Sequence, residues 1–397
     1  MRCARPRQHN AGRLDPQNGK QKIMLLEARK ALVTSLTPPA LLMGATWNTW
    51  LSLLRDNRYR VDMRFWPRAL STSCVTVFNS LFHWWERRTY ETKLEDVKVE
   101  APIFVLGFWR SGTTHLHNLL GIDRRFAFPN GFQVMYPNTF LTAEERISKL
   151  VDRFLPQARP MDNLRFDTRT PQEDELALCT MTSLSPCTSW IFPRREDDYG
   201  RYLTFRDAPP EDVQRWREAL ELFLKKLTWK CERRLVLKSP PHTCRIALLR
   251  DMFPDARFVH IHRDPYTVFQ STRNMLVRLA PYLRMQTRQR DNLDDLILRL
   301  YTIVYDAFTE DVQQVPESHF HEIGFEDLES DPLGSMRTLY ERLELPEFQE
   351  VEPALVKYLE SIKGYKKNRH ADLDEGLRQR IAEEWRPYFE RWGYAGQ

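Results

Sequence analysis

The residues best equipped for chemistry lie at 105–120, "VLGFWRSGTTHLHNLL". Gly107 and Gly112 stand at the spacing of the G-x-x-x-x-G-K-[ST] loop that wraps nucleotide phosphates, but Thr113 occupies the place of the lysine. Backbone N–H groups at a helix N-terminus, reinforced by the helix dipole, hold anions without any one particular side chain. Gly107 and Gly112 let such a backbone approach closely, Ser111, Thr113 and Thr114 add hydroxyls, and Arg110 adds charge. The missing lysine is the group that would reach the β- and γ-phosphates of a triphosphate. A magnesium-holding aspartate at the end of an apolar strand is also lacking: "RFVHIHRD" comes nearest, and it puts His262 and Arg263 ahead of the acid. The expected ligand is anionic and nucleotide-like, and ordinary ATP or GTP chemistry fits it badly.

The flanking patterns say what must position this loop. "PIFVLG" is a β-branched run ending in glycine, and "HLHNLL" after the loop has helical spacing, so the context is strand, loop, helix. "RRLVLKSPPH" gives a strand at 235–237 that stops at a Pro-Pro pair. "HTCRIALLRDMFPDA" gives a helix closed before Pro254, and "RFVHIHRDP" gives a buried strand. "DPYTVFQSTRNMLVRL" then opens a helix with Asp264 as N-cap and Pro265 in its first turn. The stripe Val213, Trp216, Leu220, Phe223, Leu224 and Leu227 marks one more helix with a core-facing side. Strands alternating with helices predict an α/β fold around a mostly parallel sheet, with an N-terminal helical extension; the likeness of the loop to a phosphate-binding loop implies a three-layer sandwich of the P-loop type, its central sheet flanked by helices. In such sheets ligands bind at the carboxyl ends of the strands, where the loop after Leu106, the Lys238 segment and the Arg263 segment all fall.

With these segments in view, a family resemblance becomes specific. "PIFVLGFWRSGTTHLHNLL" is similar to the 5′-phosphosulfate loop of sulfotransferases that use 3′-phosphoadenosine-5′-phosphosulfate (PAPS), and "ARFVHIHRDPYTVFQS" resembles their 3′-phosphate motif. "LKSPPHTCRIALLRDMFPDA" and "EIGFEDLESDPLGSMRTLYERLEL" also resemble this superfamily, particularly its bacterial branches, and the likeness runs over about residues 102–370. The resemblance implies a PAPS donor, PAP as product and no metal. It implies Gly107, Arg110, Ser111, Gly112, Thr113 and Thr114 at the 5′-phosphosulfate and Arg263 with Ser271 at the 3′-phosphate. Relatives usually carry lysine before the loop serine; here Arg110 keeps the charge and gains a planar fork. A late basic loop folds over the cofactor in relatives, which points to Lys367, Asn368 and Arg369 in "GYKKNRHADL".

Sulfuryl transfer should resemble phosphoryl transfer, with in-line attack and charge building on the departing phosphate. Arg110, the loop N–H groups and Lys238 suit the stabilisation of that charge. A base must accept the acceptor's proton. His242 is one candidate, because "LKSPPH" occupies about the place of a Lys-Thr-His segment in relatives. Glu173, Asp174 and Glu175 in "TPQEDELALC" are the others, with Glu173 or Glu175 preferred to His242. A P-loop kinase or NTPase, and a catalytically silent nucleotide-binding membrane adaptor, are the rival readings.

Composition bounds the rest. Over 397 residues, 42% hydrophobic and 28% charged content is that of an ordinary globular protein, and a net charge of +5 spread along the chain suits an anionic small ligand or an acidic membrane, not nucleic acid. The six cysteines lie far apart and read as free thiols. Three H-x-H pairs, His115/His117, His260/His262 and His319/His321, lack the companions of a metal site. Residues 1–30 read as a basic disordered arm, 31–100 as an apolar helical extension, and 101–397 as the sulfotransferase-like domain. Residues 31–54 carry no charge but include Pro38-Pro39; residues 69–85 are also uncharged and end in "HWW" between basic flanks. Core or lid helices are the first expectation there, peripheral membrane contact through 31–85 the second, and a spanning helix the third. The expected location is cytoplasmic, the acceptor a small molecule, lipid or glycan.

Overall fold

Five short runs of β-branched, aromatic and leucine residues form the strands β1 (Ile103–Leu106), β2 (Phe126–Ala127), β3 (Arg234–Lys238), β4 (Arg257–His262) and β5 (Phe320–Gly324). The computed structural model describes residues 36–153, 167–289, 292–364 and 373–394. The strands pair in the order β2-β3-β1-β4-β5, every pair parallel. A parallel sheet must be covered on both faces, and the side chains of β1 divide accordingly. Phe104 and Leu106 join one core with Leu237 and Phe258, while Ile103 and Val105 join another with Val236, Val259 and Ile261. Helices Pro210–Cys231, Pro265–Leu283 and Leu293–Val312 cover the first face; helices Thr113–Leu120, Pro332–Arg342 and Phe348–Ile362 cover the second. This is the three-layer α/β architecture that the sequence predicts.

Several local expectations hold in detail. The strand read at 235–237 runs one residue further at each end, and Asp264 caps the helix Pro265–Leu283 by accepting from Thr267 N at 2.8 Å. On the helix Pro210–Cys231, Trp216, Leu220, Phe223, Leu224 and Leu227 are buried. The segment "HTCRIALLRDMFPDA" divides into a 3-10 turn, Pro240–Cys244, opened by the two prolines, and a helix, Ile246–Met252, with the break at Arg245, whose φ of −130° is not helical. The described part of 31–54 forms a 3-10 turn, Ala40–Leu42, and a helix, Trp47–Asp56, whose Leu41, Leu42, Trp50 and Leu53 pack on Ile191, Phe192, Tyr199 and Leu283. Residues 69–85 lie within one 30-residue helix, Trp66–Glu95. Among the described residues, no helix is long and apolar enough to cross a membrane. Of the histidines in H-x-H pairs, His117 Nε2 donates to Val236 O at 3.2 Å, His260 Nδ1 meets Glu322 at 2.8 Å, and His262 Nδ1 meets the Tyr394 hydroxyl at 2.9 Å.

His117 makes stability depend on pH. It sits on the helix that follows the loop, fully buried; that burial, aided by the nearby Lys238 ammonium, pushes its pKa down to about 3. The unfolded chain binds a proton at this residue near pH 6.5, whereas the folded chain does not until about pH 3. Its contribution is therefore complete above about pH 6.5 and is lost progressively as pH falls, at up to about 1.4 kcal/mol per pH unit for one proton. We expect His117→Gln to flatten the dependence of the unfolding free energy between pH 6.5 and 4 by up to one proton, measured by urea titration at fixed pH values. An unchanged slope would remove His117 from the acid response.

Candidate functional site

Because β1 is flanked by β3 and β4, the loops that follow these three strands meet at one edge of the sheet. The first runs from Gly107 to Gly112 and leads into the helix Thr113–Leu120. Gly107, Arg110 and Gly112 have φ of 145°, 71° and 107°. A Cβ on Gly107 would stand 2.5 Å from Ile261 O, and one on Gly112 would stand 2.4 Å from the Phe325 ring, so only glycine fits either place. The loop's early amides are tied inward: Gly107 N donates to Thr243 Oγ1 at 2.8 Å and Phe108 N to the Tyr305 hydroxyl at 3.3 Å. Two donors within the loop, Trp109 Nε1 and Ser111 Oγ, are buried and have no hydrogen-bond partner among the described residues.

The loop after β4 closes on the first loop from the other side. Arg110 Nε donates to Ser271 Oγ at 3.0 Å, and Arg263 NH1 donates to Arg110 O at 3.4 Å. Thr272 Oγ1 donates to Trp109 O at 3.2 Å. The Arg263 guanidinium lies over the Phe325 ring, 4.2 Å from its centroid. Burial lowers the Arg263 pKa, Glu326 and Glu329 oppose that shift, and Arg110 adds to it. Two guanidiniums close enough to repel each other have the charge and the donors that suit an anion.

The loop after β3 brings in the acidic cluster, and its three neighbouring carboxylates have different surroundings. Glu173, at the N-cap of the helix Asp174–Thr182, stays partly exposed and pairs through Oε1 with Lys238 Nζ at 2.6 Å. Asp174 is fully buried, accepting from Ser239 Oγ at 2.9 Å and from His242 Nε2 at 2.5 Å. Burial works against its charged form, but the His242 imidazole and the two hydrogen bonds outweigh it and hold the carboxyl below the usual range. Glu175 is equally buried, in a two-pronged pair with Arg245 at 2.6 and 3.1 Å, and it accepts from Ser185 Oγ at 2.7 Å.

Of the residues singled out in the sequence, Gly107, Arg110, Ser111, Gly112, Thr113 and Thr114 share the first loop and helix start, with Arg263 and Ser271 against Arg110. Lys238 and Glu173 form a pair at the end of β3, where Lys238 stands in register with Val105 of β1. Glu175 and His242 lie below that edge, each wholly buried, Glu175 ion-paired to Arg245 and His242 hydrogen-bonded to Asp174 and packed edge-on against Phe104. Lys367, Asn368 and Arg369 lie outside the described residues. Thr243, Thr272, Tyr305 and Phe325, which hold the loop, were missed. Only Thr243 and Phe325 had a signal, each lying in a segment already noted for its resemblance, "PPHTC" and "EIGFED".

The chain has counterparts among known proteins. Residues 102–350 match the model of a sulfotransferase family. The omega-hydroxy-beta-dihydromenaquinone-9 sulfotransferases Stf3 of Mycobacterium bovis and Mycobacterium tuberculosis are each 33% identical over 353 residues, which is 89% of this chain and 90% of theirs. The crystal structure of sulfotransferase STF9 from Mycobacterium avium superimposes with a TM-score of 0.65 at 20% identity, over 88% of this chain and 96% of that one. STF1 from Mycobacterium tuberculosis H37Rv gives a TM-score of 0.58 at 18% identity, over 88% and 92%. The two structures share the fold seen here. With a family match over most of the sheet and a relative alike along nearly its whole length, the chain belongs to the sulfotransferase family, and it is an enzyme of sulfuryl transfer.

Proposed function

We propose that the enzyme takes the sulfuryl group from PAPS and passes it to the hydroxyl of an apolar, lipid-like acceptor. The observation that carries the donor half is the junction of Arg110, Ser271 and Arg263 beside the buried, unpartnered Ser111 Oγ. The residues fit such a donor: the Gly107–Gly112 backbone and Ser111 suit the 5′-phosphosulfate, and Arg263 with Ser271 suits the 3′-phosphate. When bound, the donor supplies the sulfuryl group. The chain supplies an anion cradle in which Arg110, Lys238 and the amides at the helix start meet the charge left on the departing phosphate.

For the proton, Glu173 is the candidate base. Its carboxylate stands at the strand edge with some exposure, and Lys238 on Oε1 holds it in orientation. Glu175 and Asp174 are enclosed and committed to Arg245 and His242, so we assign them a positioning role. The acceptor half draws on Stf3, whose name gives a hydroxylated menaquinone as substrate, and on the aromatic Trp109 within the loop. Buried with an unpartnered indole N–H, it suits an apolar molecule with one polar group.

Two measurements test this reading. In calorimetry without magnesium, PAP should bind in the micromolar range and ATP much more weakly; Arg263→Ala should weaken PAP binding by about 30-fold or more, the effect of losing a charge-assisted contact. No PAP binding, or magnesium-dependent ATP binding, would refute the donor. With radiolabelled PAPS and hydroxylated menaquinone, a phenol and a glycan offered as acceptors, the menaquinone should be labelled best. Glu173→Gln should cut kcat by about 10²- to 10⁴-fold with PAP affinity nearly unchanged. Glu175→Gln should instead lower the melting temperature, since it leaves Arg245 buried without its charge partner. Full kcat in Glu173→Gln would remove it as the base.

A further inference from the structure

The helix Trp66–Glu95 is turned inside out. The residues it buries are Arg68, Thr72, Thr76, Asn79 and Glu86, besides Leu94. Each inward charge or amide finds a partner: Arg68 donates to Arg284 O and Pro281 O at 2.8 and 2.9 Å, and Asn79 to Met43 O and Ala45 O at 2.6 and 3.0 Å. Glu86 accepts from Thr142 and pairs with Lys226 at 2.6 Å. The outward side carries Trp66, Leu70, Phe78, Leu81, Trp84 and Trp85, between 41% and 68% exposed. At about 100° per residue these six fall within about 120° of arc, a single face, and from 66 to 85 it runs about 30 Å. Between 66 and 85 the only charged residue is Arg68, and it points inward.

Monomers rarely expose an apolar patch longer than a few side chains unless something covers it. The charges at its two ends identify the occupant. Exposed Arg64 precedes the face and exposed Arg87 and Arg88 follow it, with Arg87 paired to Glu91 at 2.5 Å. Arg88 stacks over Trp84 at 4.7 Å, and Arg146 of the neighbouring helix Phe140–Asp152 over Trp85 at 5.4 Å. Two copies pairing face to face would set a basic end against a basic end in either direction. An anionic surface meets both ends favourably, and tryptophans with arginine neighbours are suited to the headgroup level of a bilayer. We propose that this face seats the enzyme on an anionic membrane, the helix lying in the plane of the interface. The proposal goes beyond the reading of donor and acceptor and does not require it.

The test is sedimentation of the full chain with vesicles of phosphatidylcholine, alone or mixed with phosphatidylglycerol. The expected result is binding to the mixed vesicles that weakens with added salt, and little binding to the neutral ones. Phe78→Glu combined with Leu81→Glu should reduce it by more than about tenfold. A second variant, Arg64→Glu with Arg88→Glu, should remove the preference for the anionic lipid. Both variants should unfold cooperatively within a few degrees of the parent's melting temperature, which shows them folded and keeps this test separate from that of the donor site. Failure of the parent to bind mixed vesicles, or equal binding by the Phe78/Leu81 variant, would overturn the proposal. So would a dimer that the same variant dissolves.

Discussion

The loop from Gly107 to Gly112 has one backbone path open to it, and the whole site depends on that path. Ile261 O at the end of β4 leaves no room for a side chain at 107, and the Phe325 ring after β5 leaves none at 112. The ring that excludes a side chain at Gly112 is also the platform on which the Arg263 guanidinium lies. The shape of the loop and the placing of the second arginine are thus one packing arrangement. Arg110, held at φ 71°, occupies a region that costs a non-glycine residue about 1–2 kcal/mol. Its bond to Ser271 and the bond from Arg263 to its carbonyl offset that strain, and they also bring its guanidinium to the cradle.

Beneath the β3 edge, the buried carboxylates act by position. Buried ion pairs are weak contributors to net stability, because desolvation opposes the attraction, but they fix geometry strongly. Asp174 fixes Ser239 and His242, and Ser239 accepts from Glu175 N at 2.9 Å. The turn Pro240–Cys244 is thereby held, and its Thr243 accepts the first amide of the Gly107–Gly112 loop. A line of contacts runs from the helix Asp174–Thr182 through the Pro-Pro turn to Gly107, with Glu173 at the end of that helix nearest the strand edge. The acidic run that reads in sequence as one reservoir of bases is in the structure one partly exposed carboxylate and two buried, partnered ones.

What the sequence discloses follows from how local each signal is. The strand-loop-helix around Gly107 and the Asp264 cap are each written within a few consecutive residues, as is the stripe on Pro210–Cys231, and all three appear as read. The division of labour among Glu173, Asp174 and Glu175 is not local. It depends on Arg245 and His242, some 70 positions away, beyond the end of β3. β2 is a two-residue strand, Phe126–Ala127, too short to show a period. β5 reads "FHEIG", with a mid-strand glutamate whose partners, His260 and Trp392, lie on β4 and near the C-terminal end of the chain. Tyr305 and Thr272 reach the loop from helix interiors, where an isolated hydroxyl gives no sign of its partner.

The N-terminal layer shows the same limit from the opposite direction. Residues 69–85 read in sequence first as a core or lid helix and second as a membrane contact, because an uncharged run is normally read as the side that faces inward. The structure reverses the assignment: the small polar residues are needed inside, where Arg68 must satisfy carbonyls at 281 and 284 and Asn79 those at 43 and 45. Turning the helix by half a revolution would bury the tryptophans but strand those carbonyls and the Glu86–Lys226 pair, at about 1–3 kcal/mol for each buried group left unpaired. The direction in which the apolar face points is therefore fixed by polar chemistry on the other side of the helix. It is also fixed relative to the site, since Trp50, bonded to Ser73 at 2.9 Å, shares a core cluster with Trp190, whose ring meets the loop's Trp109 edge-on at 6.3 Å. The helix that carries the apolar face and the loop that carries Trp109 thus pack on a shared set of aromatic side chains.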